Sequence, residues 1–282
     1  MYKIKKLGCL LILFFSFSSI IAQTYISFGA GYLLPKGASK TSEFSNSANF
    51  SNGVGKVSNF SYATGMGINL AAGYMFNKSF GVEINMSSLL GKTFTTTYTS
   101  NYFNNGRPPV TYITTINYKV PISAYVTPSL LFKANAVKGI IPYCKVGLMF
   151  LCYGKAVTNS RNYSNGSGVD YIEYETTNRF TIGIAGALGI SIPVAKKVNI
   201  NIECYAQGIN PHSKKSTTIK HQTNGEDDLA KLSVSQKETE YSKTLDAPTT
   251  GNPNEPTKSL AYTNNYSNIG VMVHICYSFN RK

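Results

Sequence analysis

The residues of this 282-residue chain that could do chemistry are few, and each candidate has a structural reading beside it. His212 next to Ser213, and His221 near Ser216, offer the two side chains a serine hydrolase needs first, a hydroxyl nucleophile and a base to activate it. Both pairs fall in a stretch of low apolar content, where such neighbours arise by chance, so no catalytic residue is assigned. Cys144, Cys152, Cys204 and Cys276 form no Cys-x-x-Cys or His-Cys cluster, so no metal site is expected and no cofactor is implied. The Gly65-Met66-Gly67 stretch is no phosphate loop, because no helix follows it. What remains is a set of ionisable residues, Glu83, Lys119, Lys145, Glu203 and His274, each on the small-or-polar side of an alternating segment. Enclosed together they could relay protons or neutralise one another. A buried charge without a partner costs several kcal/mol, which favours mutual pairing in a polar plug.

The segments that would position them repeat one pattern: about ten residues alternating apolar with small or polar, then a turn, then a polar stretch. Alternation at period two is a strand with one apolar face. In residues 180–194, Phe180, Ile182, Ile184, Leu188, Ile190 and Ile192 alternate with Thr181, Gly183, Ala185, Ala187, Gly189 and Ser191. In 269–279, Val271, Val273, Ile275, Tyr277 and Phe279 oppose Met272, His274, Cys276 and Ser278. Similar strands are expected over 25–34, 64–76, 80–90, 116–132, 140–153 and from Val198 to Tyr205, making eight. In 116–132 the pattern places Tyr118, Val120 and Ile122 outward and Lys119 inward, with Pro121 accommodated by a bulge. Short connections near Asn77, at 133–139 and at 195–197 alternate with long ones at 36–62, 92–111, 158–177 and 211–263. The fold class is therefore all-β: a closed antiparallel transmembrane β-barrel of eight strands, with short periplasmic turns and long extracellular loops. No open channel is expected, since side chains fill a barrel of this size. The 211–263 loop reads as largely disordered when unbound.

Lys3, Lys5 and Lys6, the apolar run from Leu7 to Ile21, and Ala22 before Gln23 form a secretory signal. The expected organisation is a cleaved signal over 1–22 and one barrel domain over 23–282, in the bacterial outer membrane. Losing the signal lowers the formal charge from +14 to +11. Lys78, Lys133, Lys138, Lys196, Lys197, Arg281 and Lys282 gather at the short turns and C-terminus instead of forming a basic stripe. Nucleic acid is thus not an expected partner, whereas anionic headgroups at that rim are. Disulfides are not expected: Cys144 and Cys152 stand about 26 Å apart on one strand, and Cys204 and Cys276 face opposite sides. With no tryptophan, the interfacial girdle falls to tyrosine and phenylalanine at strand ends, among them Tyr32, Tyr74, Phe80, Phe132, Tyr277 and Phe279.

On this topology the chain resembles the small outer-membrane barrels of the OmpA transmembrane-domain and OmpX type, over residues 23–282. The resemblance implies that Tyr277 and Phe279 form the terminal signal by which the barrel-insertion machinery recognises the chain, although Asn280, Arg281 and Lys282 follow the aromatic. No peptidoglycan-binding domain is expected after the last strand. Outer-membrane lipids and lipopolysaccharide are the implied neighbours, with an extracellular ligand at the loops. The expected function is non-enzymatic: envelope integrity, surface interaction or adhesion. The alternatives are a small-solute porin and, as some barrels of this size are, a lipid A-modifying acyl hydrolase or transferase.

Overall fold

The computed structural model describes residues 23–36, 39–41, 58–102, 110–164, 168–245 and 252–279. The signal segment and Asn280 to Lys282 lie outside the described residues. Eight strands form the barrel: β1 (Gln23–Pro35), β2 (Gly65–Met75), β3 (Phe80–Gly91), β4 (Ile122–Lys133), β5 (Ile141–Ser164), β6 (Ile182–Ala195), β7 (Val198–Gly208) and β8 (Asn268–Ser278). Each pairs antiparallel with the next, and β8 pairs with β1 from Tyr25↔Ser278 to Pro35↔Asn268, which closes the ring. Closure matters because a bilayer offers nothing to an unpaired N–H or C=O.

Alternation decides which face meets lipid. Leu188 is 70% exposed and Ala187 beside it 6%. Ile275 is 61% exposed, while His274 and Cys276 on either side are 2%. In water such a surface would drive association; around a barrel it is the face that displaces lipid. The short turns use local polar chemistry. The Asn77 carboxamide oxygen accepts from the backbone N–H of Ser79 and of Phe80, both at 2.8 Å. Lys138 and Gly139, at φ 49° and 82°, make the left-handed pair that a tight hairpin requires between Val137 and Ile140. Lys78, Lys138, Lys196 and Lys197 are exposed at this end.

The fourth strand departs from expectation. It is not one bulged strand over 116–132 but two, Val110–Lys119 and β4, separated at Val120 and Pro121. Pro121 has no N–H to give a ladder, although its carbonyl still accepts from Gly91 N at 3.2 Å. The break reverses parity: Val120 is fully buried, not lipid-facing, and Tyr118 packs against the Tyr62 ring at 6.3 Å. Strand β5 does the opposite and runs on to Ser164. A bulge at Cys152, between the pairs Tyr125↔Leu151 and Ala124↔Tyr153, shifts its outward positions from even to odd.

Above that bulge β5 leaves the barrel and becomes the centre of a second, extramembrane sheet. Val110–Lys119 pairs with its outer half on one side, followed by Phe94–Tyr102. Gly168–Asn178 pairs on the other, followed by Ser213–Thr223, Glu238–Ser242 and Thr257–Leu260. Within 211–263 the described residues thus hold these last three strands of the sheet, with helical turns at Leu229–Lys231 and Val234–Lys237 between them, contrary to the disorder expected there. The five threonines of these three strands suit pleated backbone.

Leu188 sits near the middle of β6, so Leu188→Arg should cost about 2–4 kcal/mol. Urea titration of the protein refolded in lipid vesicles measures this, and a variant as stable as the parent would place β6 outside the bilayer.

Candidate functional site

Inside the lower barrel, β3 and β7 direct their carboxylates at one lysine of β5, while Lys133 of β4 lies over the Tyr25 ring at 5.4 Å. Lys145 on β5 lies 3.1 Å from Glu83 Oε1 on β3 and 2.8 Å from Glu203 Oε2 on β7. Glu203 Oε1 in turn stands 2.8 Å from His274 Nε2 on β8. Two tyrosines complete the shell: Tyr25 donates to Glu83 Oε2 at 2.7 Å, and Tyr143 to Glu203 Oε2 at 2.9 Å. Glu83, Glu203 and His274 are at most 5% exposed, Lys145 11%. The formal sum is one negative charge with a neutral imidazole and zero with a protonated one. The His274 ring lies flat over Gly29, where an added Cβ would meet Nδ1 at 2.3 Å, so the backbone of β1 makes room for the ring.

Four of the five residues read from the sequence thus meet in one cluster, and Lys119 does not. It is exposed, outside the barrel, because the break at Pro121 turns its strand away. Tyr25 and Tyr143 were given no role from the sequence, although both occupy lumen-facing positions of their strands. A phenol at such a position has to find an acceptor, and that was the available signal.

Higher in the lumen the filling becomes apolar and aromatic. Leu33, Leu89, Tyr125, Met149, Leu151 and Met272 are all buried. Over them lies Tyr266, fully buried, held by Asn178 Nδ2 at 2.9 Å on its hydroxyl and Gln207 Nε2 at 3.1 Å on its carbonyl. Tyr62 packs on it at 5.7 Å. Among the described residues, spaces inside the lumen include one of about 20 Å³ between Leu33 and Tyr205 and two of about 10 Å³ beside Lys145, room for single waters.

The extramembrane sheet has two unlike faces. One turns inward over the barrel mouth and buries Thr96, Thr158, Thr176 and Ser216. The other continues the lipid-facing side upward and is polar. Thr95 Oγ1 donates to Asn117 Oδ1 at 2.6 Å, and Asn117 Nδ2 to Asn159 Oδ1 at 2.7 Å, across three strands. Tyr171 donates to Glu173 at 2.7 Å, and burial, with that bond, pushes its phenol up to about 12. Lys155 pairs with Glu175, and Lys215 with Glu238 at 2.8 Å.

The hydrolase pairs are not assembled. Ser213 Oγ donates to Tyr262 O at 3.3 Å, and His212 Nδ1 contacts Thr263 Oγ1 at 3.3 Å. Ser216 bonds Thr176 and Tyr241, while His221 Nε2 stands 3.4 Å from Asp170. Tyr277 and Phe279 project outward at the barrel end, 39% and 46% exposed, with rings 5.3 Å apart.

Because Lys145 serves two buried carboxylates, Lys145→Met should lose roughly 3–5 kcal/mol, the cost of stranding a buried charge. Adding Glu83→Gln and Glu203→Gln to it should restore most of that loss in the same urea titration. An undiminished single variant would mean that the cluster is not a matched set.

No curated protein matches the chain significantly. Among solved structures it is similar to Ail of Yersinia pestis, at 13% identity, 92% of this chain and 100% of that one, with a TM-score of 0.30. It is also similar to a major outer membrane protein of Thermus thermophilus, at 8% identity, covering 92% and 99%, TM-score 0.39. Outer membrane protein W of E. coli follows at 13%, covering 92% and 98%, TM-score 0.35. The family model "Outer membrane protein beta-barrel domain" matches residues 8–236, more than half of the chain. With a closed eight-stranded ring, lipid-facing alternation and this match together, the chain belongs to the outer membrane protein β-barrel domain family.

Proposed function

We propose that the protein is a non-enzymatic, plugged outer-membrane barrel that works through its extracellular sheet, in surface interaction, adhesion or envelope integrity. The observation that carries this reading is the contrast between its two halves: a lumen filled from Tyr25 to Tyr266, and an ordered sheet raised into the medium. A filled lumen offers solutes no path. A sheet built on a strand continuous with the barrel presents its side chains at fixed spacings, as recognition requires. Glu83, Lys145, Glu203 and His274 act in this reading as structure, tying β3, β5, β7 and β8 across the lumen. Residues 1–22 serve as the cleaved signal and 23–282 as the barrel domain. Tyr277 and Phe279 are read by the insertion machinery. Partners are the surrounding lipids and lipopolysaccharide, and an extracellular ligand at the sheet.

Two measurements test the reading. In planar bilayers the purified protein should show no steady open state; a sustained conductance level would make it a pore. Replacing the segment from Ser213 to Leu260 with a short turn should leave insertion intact, seen as the usual mobility shift of unheated barrel on gels. Cells carrying it should fall, in surface adhesion and in resistance to detergent, to the level of cells without the protein. If both traits persist, the strands from Ser213 to Leu260 are not the working part.

A further inference from the structure

The outward face of the extramembrane sheet is built like a saccharide-binding surface, and the outer-leaflet lipid is placed to fill it. Strand β5 turns Val146, Leu148 and Phe150 toward the bilayer, bulges at Cys152, and then presents Asn159, Arg161 and Tyr163 on the same side of the wall. Those three begin six residues past Tyr153, roughly 15–20 Å above the exit for a strand tilted as in such barrels. Their lateral neighbours are fixed by register: Asn117 and Glu173 on either side of Asn159, Tyr171 beside Arg161, and Lys220 one strand further, opposite Glu173, whose carboxylate accepts from the Tyr171 hydroxyl.

The chemistry of the panel is directional. The Asn117 amide spends its donor on Asn159 Oδ1, so the Asn159 nitrogen keeps both hydrogens, with no acceptor among the described residues. Arg161 is exposed and has no acid partner among the described residues, which leaves its planar fork of donors free. The Lys220 ammonium stands over the Tyr171 ring at 5.1 Å, and the Tyr163 ring is 44% exposed. Amide donors, a guanidinium and aromatic faces on a flat sheet suit hydroxyl-rich, phosphorylated sugar rings. The apolar side chains of this face, Ile113 and Val169 beside Tyr163, sit at its far tip, beyond Arg161.

We propose that this panel binds the anionic saccharide headgroup of a glycolipid anchored in the adjacent outer leaflet. The source follows from continuity. The same face is lipid-facing below the bulge, so a lipid whose acyl chains lie along Val146 and Leu148 must carry its headgroup up past Lys155 onto Asn159 and Arg161. The inference rests on the surface-interaction reading above and names one partner for it.

The test uses the full mature protein in phosphatidylcholine vesicles doped with either a phosphorylated rough-type lipopolysaccharide or phosphatidylglycerol of equal charge. The lipid that co-purifies after detergent extraction is counted by mass spectrometry. Lipopolysaccharide should be retained in preference to phosphatidylglycerol. Arg161→Glu and Lys220→Glu, each a change of two charges at an anionic surface, should each lower retention roughly thirtyfold. Asp170→Asn, on the inward face, should leave it unchanged. Unheated gel mobility checks that each variant is folded, and Asn159→Ala serves as an uncharged second probe expected to weaken retention in the same direction. Equal retention of both lipids, an effect of Asp170→Asn in place of Arg161→Glu, or strong competition by the free delipidated oligosaccharide would each overturn the proposal. The last would point to a soluble glycan as the occupant. Any of these failures leaves adhesion and conductance as they were, so the broader reading is judged separately.

Discussion

Every backbone N–H and C=O within the hydrocarbon layer must be paired inside the protein, and the rest of the architecture follows from that requirement. Eight strands meet it only if the last returns to the first, and the eleven-position register between β8 and β1 is where that happens. Closure at eight strands fixes the lumen at a width that side chains can fill. The glycines and alanines that alternate with the apolar residues then set how much side chain the lumen can take: Gly29 admits the His274 ring, and Gly73 the Tyr25 ring.

The lumen is consequently crowded, which makes its charges interdependent. Lys145 is the hub, and four strands send it a carboxylate, a phenol or an imidazole, directly or at one remove. Higher up, Tyr266 and Tyr62 close the mouth with rings where an open barrel would hold water. In the proposed reading the working surface lies outside the ring. It grows from one side of it, above β4, β5 and β6, where the extracellular connections fold back as strands.

How much of this was legible depended on whether a segment has one wet face or two. Strands β6 and β8 have grease on one side and small or polar groups on the other, and their alternation gives their facing residue by residue. Lys119 and Val120 were misplaced because a period-two reading carried through Pro121 keeps its parity, whereas the chain breaks there and resets it. The bulge at Cys152 was hidden for the same reason: one extra residue leaves the composition unchanged and shifts only the phase. Of the extramembrane strands, only the end of Val110–Lys119 fell within an expected strand, 116–132. Thr95, Thr97, Thr115, Asn117 and Asn159 face water or other hydroxyls, so no apolar period marks them, and their order comes from pairing with β5. The cluster around Lys145 was read from facing alone. The tyrosines that complete it needed distances that no sequence pattern carries.

Strand β5 is 24 residues long and crosses the membrane surface without interruption, spanning roughly 80 Å. A tug on its outer tip, from a surface or a neighbouring cell, runs along the strand and loads its flanking ladders lengthwise. Many hydrogen bonds then resist together in shear, where a hinged loop would let them unzip one by one. What the sheet holds, it can therefore hold under tension, with the barrel as its anchor.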